Sequence, residues 1–144
     1  MQGALSENIK FLKIKDPTAD GTSAVTSDAI DTQGYDGVCV LASFGTAASG
    51  NTIKLQQSDD DAATDAYSDL EGTSVTSGTS DEDVYADAPK PRKRYVKAVV
   101  ARGTSTTLGD VWALLYNPHV LPVDNTASGT IAGEINPSPA EGTA

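Results

Sequence analysis

Residues 94–116 constrain the fold more than any other part of the chain. In "RYVKAVVA", 94–101, Val96, Ala98 and Val100 share one face, and Tyr95, Lys97 and Val99 share the other. In "LGDVWALLY", 108–116, the alternation returns, with Trp112, Leu114 and Tyr116 on one face. A sustained period of two fits a pleated strand and not a helix. The polar stretch between them, "RGTSTT", is long enough for a hairpin loop, so the simplest prediction is a β-hairpin.

Other segments follow the same rule. "NIKFLKIK", 8–15, reads as a short strand whose lysines suit a sheet edge, and "DPTADGTS" ends it. A short strand is expected at 23–26. "VCVLASF", 38–44, is apolar apart from Ser43, and its β-branched content predicts a strand buried on both faces. "NTIKLQQS", 51–58, sets Ile53 and Leu55 against Lys54 and Gln56. Short strands are plausible at 73–76 and 83–85, and a brief helical turn at 62–70. Threonine, serine, alanine, glycine and aspartate dominate, and leucine is sparse. That balance favours β structure with polar turns.

The 144 residues fit one domain. With 38% hydrophobic residues a core can form, though not a thick one. The expected fold is all-β: a single antiparallel sandwich or barrel over residues 1–116, with roughly 6–9 strands. Its predicted core contains Val38, Val40, Ile53, Leu55, Val96, Val100, Trp112 and Leu114. From Asn117 onward the chain holds four of the seven prolines and little charge. Residues 117–144 are therefore expected to form an extended arm that gains order against a neighbouring subunit.

Formal net charge is −10, which opposes the wrapping of nucleic acid. The charge is segregated. Residues 59–87 hold ten acids and no bases, whereas 90–102 hold six bases and no acids. The basic run "KPRKR" suggests a phosphate-binding patch, but the acids upstream would mask it. Pairing of Arg92, Lys93 and Arg94 with nearby acids, or with an acidic partner, is the favoured reading. "SDDDAATDAYSD" offers oxygen donors for calcium, yet it lacks the spacing and central glycine of an EF-hand loop. A solvated loop is the plainer reading, and no metal or cofactor is expected.

Catalytic groups are scarce. His119 is the one histidine, and neither a G-x-S-x-G elbow nor a phosphate-cradling glycine loop occurs. Cys39 lies mid-strand among apolar residues, where a thiol fills core and is inert. The sequence therefore predicts no enzyme. No apolar run approaches the ~20 residues of a membrane-spanning helix. The first residues lack an export signal, and a lone cysteine fits a reducing cytoplasm.

"ALSENIKFLKI", "DTQGYDGVCVLASFG", "IKLQQSDD", "DLEGTSV" and "PRKRYVKAVVARGTSTTLGDVWALLYNPHVLPV" occur in that order over about residues 4–123. In this the chain resembles a family of small virion structural proteins of tailed bacteriophages and prophages. Residues 124–144 depart from the family's pattern. The resemblance implies a head decoration (cement) protein on the capsid exterior, made in the host cytoplasm and bound to the major capsid protein. It also implies a homo-oligomer, most often a trimer. A neck, tail or head-completion component is the nearest alternative, and a virion-displayed carbohydrate-binding module is another. Expected contact residues are Arg92, Lys93, Arg94 and His119, together with the apolar arm residues Leu121, Ile131 and Ile135.

Overall fold

A computed structural model describes residues 3–46, 50–125 and 129–143. After a 3-10 turn at Leu5–Glu7, twelve strands come in chain order. They are β1 (Lys10–Lys15), β2 (Thr18–Gly21), β3 (Val25–Thr26), β4 (Ile30–Asp31), β5 (Tyr35–Ser43) and β6 (Asn51–Ser58). Then come β7 (Ser68–Asp69), β8 (Val75–Thr76), β9 (Asp83–Pro89), β10 (Tyr95–Arg102), β11 (Thr106–Leu108) and β12 (Val111–Pro118). The fold is all-β. Every pairing is antiparallel, and the sheets pack as a sandwich without closing into a barrel.

One layer has the order β1-β12-β5-β9. The other centres on β10 and β6, with β3 and β4 along β10 and β7 and β8 along β6. A ribbon of β2 and β11 lies outside both orders. The long strands alternate between layers along the chain: β5, β9 and β12 lie in the first sheet, β6 and β10 in the second. The expected hairpin over 94–116 therefore does not form. β10 pairs with β6, β3 and β4, while β12 pairs with β5 and β1. The intervening residues are not a turn. They form β11, which pairs with β2 and carries the chain across the sandwich. Each half of the stretch buries its inner face against the opposite layer, which a flat hairpin would not allow.

The core fills the space between the layers. Val38, Val40, Ile53, Leu55, Val96 and Val100 are buried as expected, joined by Ile14, Ile30, Val84, Ala86, Ala98 and Leu108. In β12 the facing is the reverse of that expected. Val111, Ala113 and Leu115 are buried, whereas Trp112, Leu114 and Tyr116 point away from the core and are half-buried. A one-residue shift in reading exchanges the two faces of a strand. β5 also departs from expectation. Its Val38, Val40 and Ala42 face is buried, whereas on the other face Gly37 alone is buried and Leu41 is 38% exposed. No helical turn forms over 62–70, where Asp61 and Ala62 take left-handed backbone angles and β7 comes next.

Candidate interaction surfaces

Cross-strand register builds the outer face of the β1-β12-β5-β9 sheet. One row runs Lys13, Trp112, Leu41, Tyr85, and the next runs Phe11, Leu114, Cys39, Asp87. Trp112, Leu114, Phe11 and Cys39 are half-buried, Leu41 is exposed, and Tyr85 is 66% exposed. Beside these rows, Tyr116 lies over Gly37. A Cβ on Gly37 would meet the tyrosine ring at 2.1 Å, so glycine is needed to seat the ring. The Tyr116 hydroxyl donates to Asp87 Oδ1 at 2.7 Å, and burial together with that carboxylate pushes the phenol up. Burial, and secondarily Asp87, also raises the Cys39 thiol, which keeps it protonated and unreactive at neutral pH. Cys39 is thus part of this outer surface rather than core filler.

The outer face of the other sheet is polar and charged. Here the acidic and basic segments meet. Lys93 reaches Asp65 at 2.6 Å and Asp59 at 3.7 Å. Arg94 donates through Nε and Nη2 to the two Asp31 oxygens, at 2.9 and 2.7 Å, and stacks on Tyr95. Lys97 lies over the Tyr67 ring and 3.7 Å from Asp61, and Lys54 pairs with Asp69 at 2.7 Å. Lys93 and Arg94 are therefore occupied within the chain. Arg92 is exposed. Charge that is segregated along the sequence is brought together across this face.

The 59–69 loop is organised from within. The Asp60 carboxylate accepts from the backbone of Thr64 at 2.8 Å and of Asp65 at 3.0 Å, and also from the Thr64 hydroxyl. Asp61 accepts from the Tyr67 hydroxyl at 2.7 Å. Buried Ser58 donates to the Asp65 carbonyl at 2.6 Å and accepts from the Ala62 amide at 3.0 Å. The donors that fix this loop engage both Asp60 oxygens and one oxygen each of Asp61 and Asp65. Among the described residues, no group of three or more His, Cys, Asp or Glu side chains is placed to hold a metal ion.

These contacts hold several carboxyls below their usual range. Arg94 does so for Asp31, Lys93 for Asp65, Thr64 for Asp60 and Lys54 for Asp69. A carboxyl that ionises more readily in the folded state contributes its full stability above its unfolded value, and loses it as pH falls through the lowered folded value. The melting temperature should stay level from neutral pH to about pH 5, then fall below about pH 4. High salt should weaken the dependence. Thermal scans across pH check this, and a melting temperature unchanged down to about pH 3 would contradict it.

The segment after β12 begins by docking on its own domain. His119 Nε2 lies 2.8 Å from Asp36 Oδ1, and its amide donates to the Gly34 carbonyl at 2.8 Å. Val123 is buried, with its amide donating to the Glu7 carbonyl at 2.8 Å. Asn125 then acts as a side-chain strand partner along the free edge of β1. Its Oδ1 accepts from the Phe11 amide at 2.9 Å, and its Nδ2 donates to the carbonyls of Ile9 at 2.8 Å and Ser6 at 2.7 Å. This caps an edge that would otherwise invite pairing with another strand. Residues 129–143 carry no helix or strand and are mostly exposed. Ile131 and Ile135 line a cavity of about 430 Å³ with Phe11 and Val123. Leu121 and Ile135 remain 55% and 50% exposed.

Arg102 belongs by sequence to the basic segment, but in the fold it is a buried clamp. It is 5% exposed, with Nε donating to the Ser23 carbonyl at 2.8 Å and Nη1 to those of Ala19 at 2.6 Å and Thr106 at 2.9 Å. It ties the β2-β11 ribbon to the end of β10. The only sequence signal for this role is its inward parity, shared with Val96, Ala98 and Val100.

No protein-family model and no curated protein matches the chain.

Proposed function

We propose that the protein is a structural component of a tailed-bacteriophage virion. In this reading it is a head decoration protein, made in the host cytoplasm, that sits on the capsid exterior as a homo-oligomer and bridges neighbouring copies of the major capsid protein. The reading involves no catalysis, cofactor, nucleic acid or membrane. No helix among the described residues is long and apolar enough to cross a membrane.

The observation that supports it is the contrast between a sandwich and residues 129–143, which carry no strand and are mostly exposed. The chain is pinned at Asn125, and within residues 129–143 Ile135 is half exposed at the rim of the cavity it shares with Ile131, Phe11 and Val123. Such a tether can lie along a neighbour's surface and add main-chain and apolar contacts there. Each contact alone is weak. An oligomer with several tethers engages several capsid subunits at once, and the linked contacts hold far more tightly than any single one.

Deletion of residues 126–144, which spares Asn125, tests this. The truncated protein should keep its circular dichroism spectrum and bind particles lacking the protein at least ~100-fold more weakly than the full chain. Co-sedimentation with particles reads the difference, and equal binding would sink the role of the tether. Counting copies per particle separates a lattice-bound protein, present in large numbers, from a neck, tail or head-completion component.

A second reading rests on the Trp112–Leu41–Tyr85 row, which sets two aromatic rings on one open sheet face. Rings spaced on a flat face suit sugar stacking, as in a virion-displayed carbohydrate-binding module. A glycan-binding screen in which Tyr85→Ala removes the signal would favour it.

A further inference from the structure

We infer that the cleft beside Arg102 is a binding site for a carboxylate, one oxygen of which accepts from the guanidinium Nη2. The inference stands apart from the proposed function and is tested on the isolated protein.

Donor arithmetic carries it. A guanidinium has five N–H donors in a fixed fork. In Arg102 the Nε donor goes to the Ser23 carbonyl, and those of Nη1 go to the carbonyls of Ala19 and Thr106. The remaining pair, on Nη2, reaches no acceptor among the described residues, and that nitrogen is not sealed inside protein. Arg102 as a whole is almost entirely buried, and among the described residues it forms no ion pair. Carbonyl dipoles hold the cation in place, but they do not cancel its charge. A charge so far withdrawn from water ordinarily has an opposite charge beside it.

Arg102 borders a cleft of about 570 Å³, which also has Lys15, Thr18, Ser23 and Thr26 on its walls. Lys15 is half-buried and forms no ion pair among the described residues. It acts on Asp16 only at longer range. Two cations thus face one space, and neither has a carboxylate in contact.

Two acids border the same cleft, and they set what it accepts. Asp16 is held by Lys13 at 2.8 Å. Asp28 is exposed and forms no ion pair among the described residues. Asp28 repels a multiply charged anion such as phosphate, yet it offers an acceptor to an amide N–H. The surroundings therefore suit a single carboxylate carried next to an amide, as in an acylated amino acid or an acidic residue of a peptide. The size agrees, because ligand pockets span ~300–1,000 Å³, far more than a lone ion fills.

The test titrates 15N-labelled full-length protein with N-acetylglycine at constant ionic strength, chloride making up the balance. The Arg102 Nε–H resonance and the amides of residues 18–26 should shift saturably, with a dissociation constant on the order of millimolar. Uncharged N-acetylglycinamide and inorganic phosphate should each bind at least ~10-fold more weakly. Arg102 is also a structural clamp, so the decisive variant lies elsewhere. Lys15→Glu leaves the clamp intact. It should weaken N-acetylglycine at least ~10-fold with the melting temperature nearly unchanged.

The peptide acetyl-Gly-Ser-Glu-Ser-Gly-amide separates the two sources of the carboxylate. Binding at least ~10-fold tighter than N-acetylglycine assigns the cleft to an acidic segment of another protein, and equal or weaker binding assigns it to a free small acid. No saturable shift up to about 50 mM of either ligand overturns the inference. So do equal shifts with N-acetylglycinamide, phosphate that binds as tightly, or binding indifferent to Lys15→Glu. Each of those results leaves the proposed function standing, since the tether of residues 126–144 takes no part in the site.

Discussion

Arg102→Ala is expected to lower the unfolding free energy by roughly 3–5 kcal/mol, the largest loss anticipated for any single polar side chain here. The guanidinium is buried, yet among the described residues it forms no ion pair with a carboxylate. It holds three main-chain carbonyls instead, from Ala19, Ser23 and Thr106. Removing it strands the buried Thr106 carbonyl and unties those of Ala19 and Ser23, which border an open cleft; each acceptor left unsatisfied costs about 1–3 kcal/mol. Arg102→Met, which keeps the apolar stem, should recover only the packing part. Arg102→Lys should recover less than its charge suggests, because an ammonium lacks the planar fork that reaches several acceptors at once. Urea denaturation measures all three. A loss below about 1 kcal/mol for alanine would mean that water replaces the clamp without difficulty.

The second large effect separates the outer face of the first sheet from the core. Leu55 is fully buried in β6, and Leu55→Ala should cost about 2–5 kcal/mol through lost burial and the cavity left behind. Leu114 is the same residue type in a central strand, but it faces outward. Leu114→Ala should cost only about 1 kcal/mol in the isolated domain. That pair decides the strand parity experimentally. Had β12 packed with Trp112 and Leu114 inward, both substitutions would be equally damaging. Equal losses in denaturation would refute the described facing of β12. Total stability for a domain of this size is about 5–15 kcal/mol, so the Leu55 variant should be visibly compromised at body temperature.

Alternation makes most of the long strands legible. β6 lies at the predicted residues, and β1, β5 and β10 lie close to them: β6 and β10 repeat apolar and polar residues with a period of two, β5 is a β-branched apolar run, and β1 mixes lysines with apolar residues. Pairing is not legible. A hairpin rule ties neighbouring strands together, and here successive long strands belong to opposite layers, which no local pattern records. The parity of β12 is hidden for a related reason. Trp112 and Leu114 are its largest apolar side chains, and size suggests burial, but a face meant for another surface carries the same residues as a core. Only the start of β9 can be read, since "ADAP" resembles a loop when the partner strand is unknown. Segregated charge does point to mutual neutralisation of the basic run and nearby acids, and Lys93 and Arg94 conform to it. The roles of Arg102 and Asn125 are out of reach, because both depend on carbonyls and amides that only the folded backbone brings together.

The alternation between layers also governs how the molecule comes into being. β12 lies second in its sheet, between β1 and β5, although nearly the whole sandwich precedes it in the chain. While a ribosome has yet to deliver residues 111–118, β1 has no neighbour to pair with and the sheet cannot assemble around it. Folding must wait for that late strand and then draw together segments far apart in sequence, which makes it slow and cooperative rather than piecemeal. Until it arrives, the apolar rows of β5 and β10 are open to the wrong partners, and crowded synthesis of many copies at once raises that hazard.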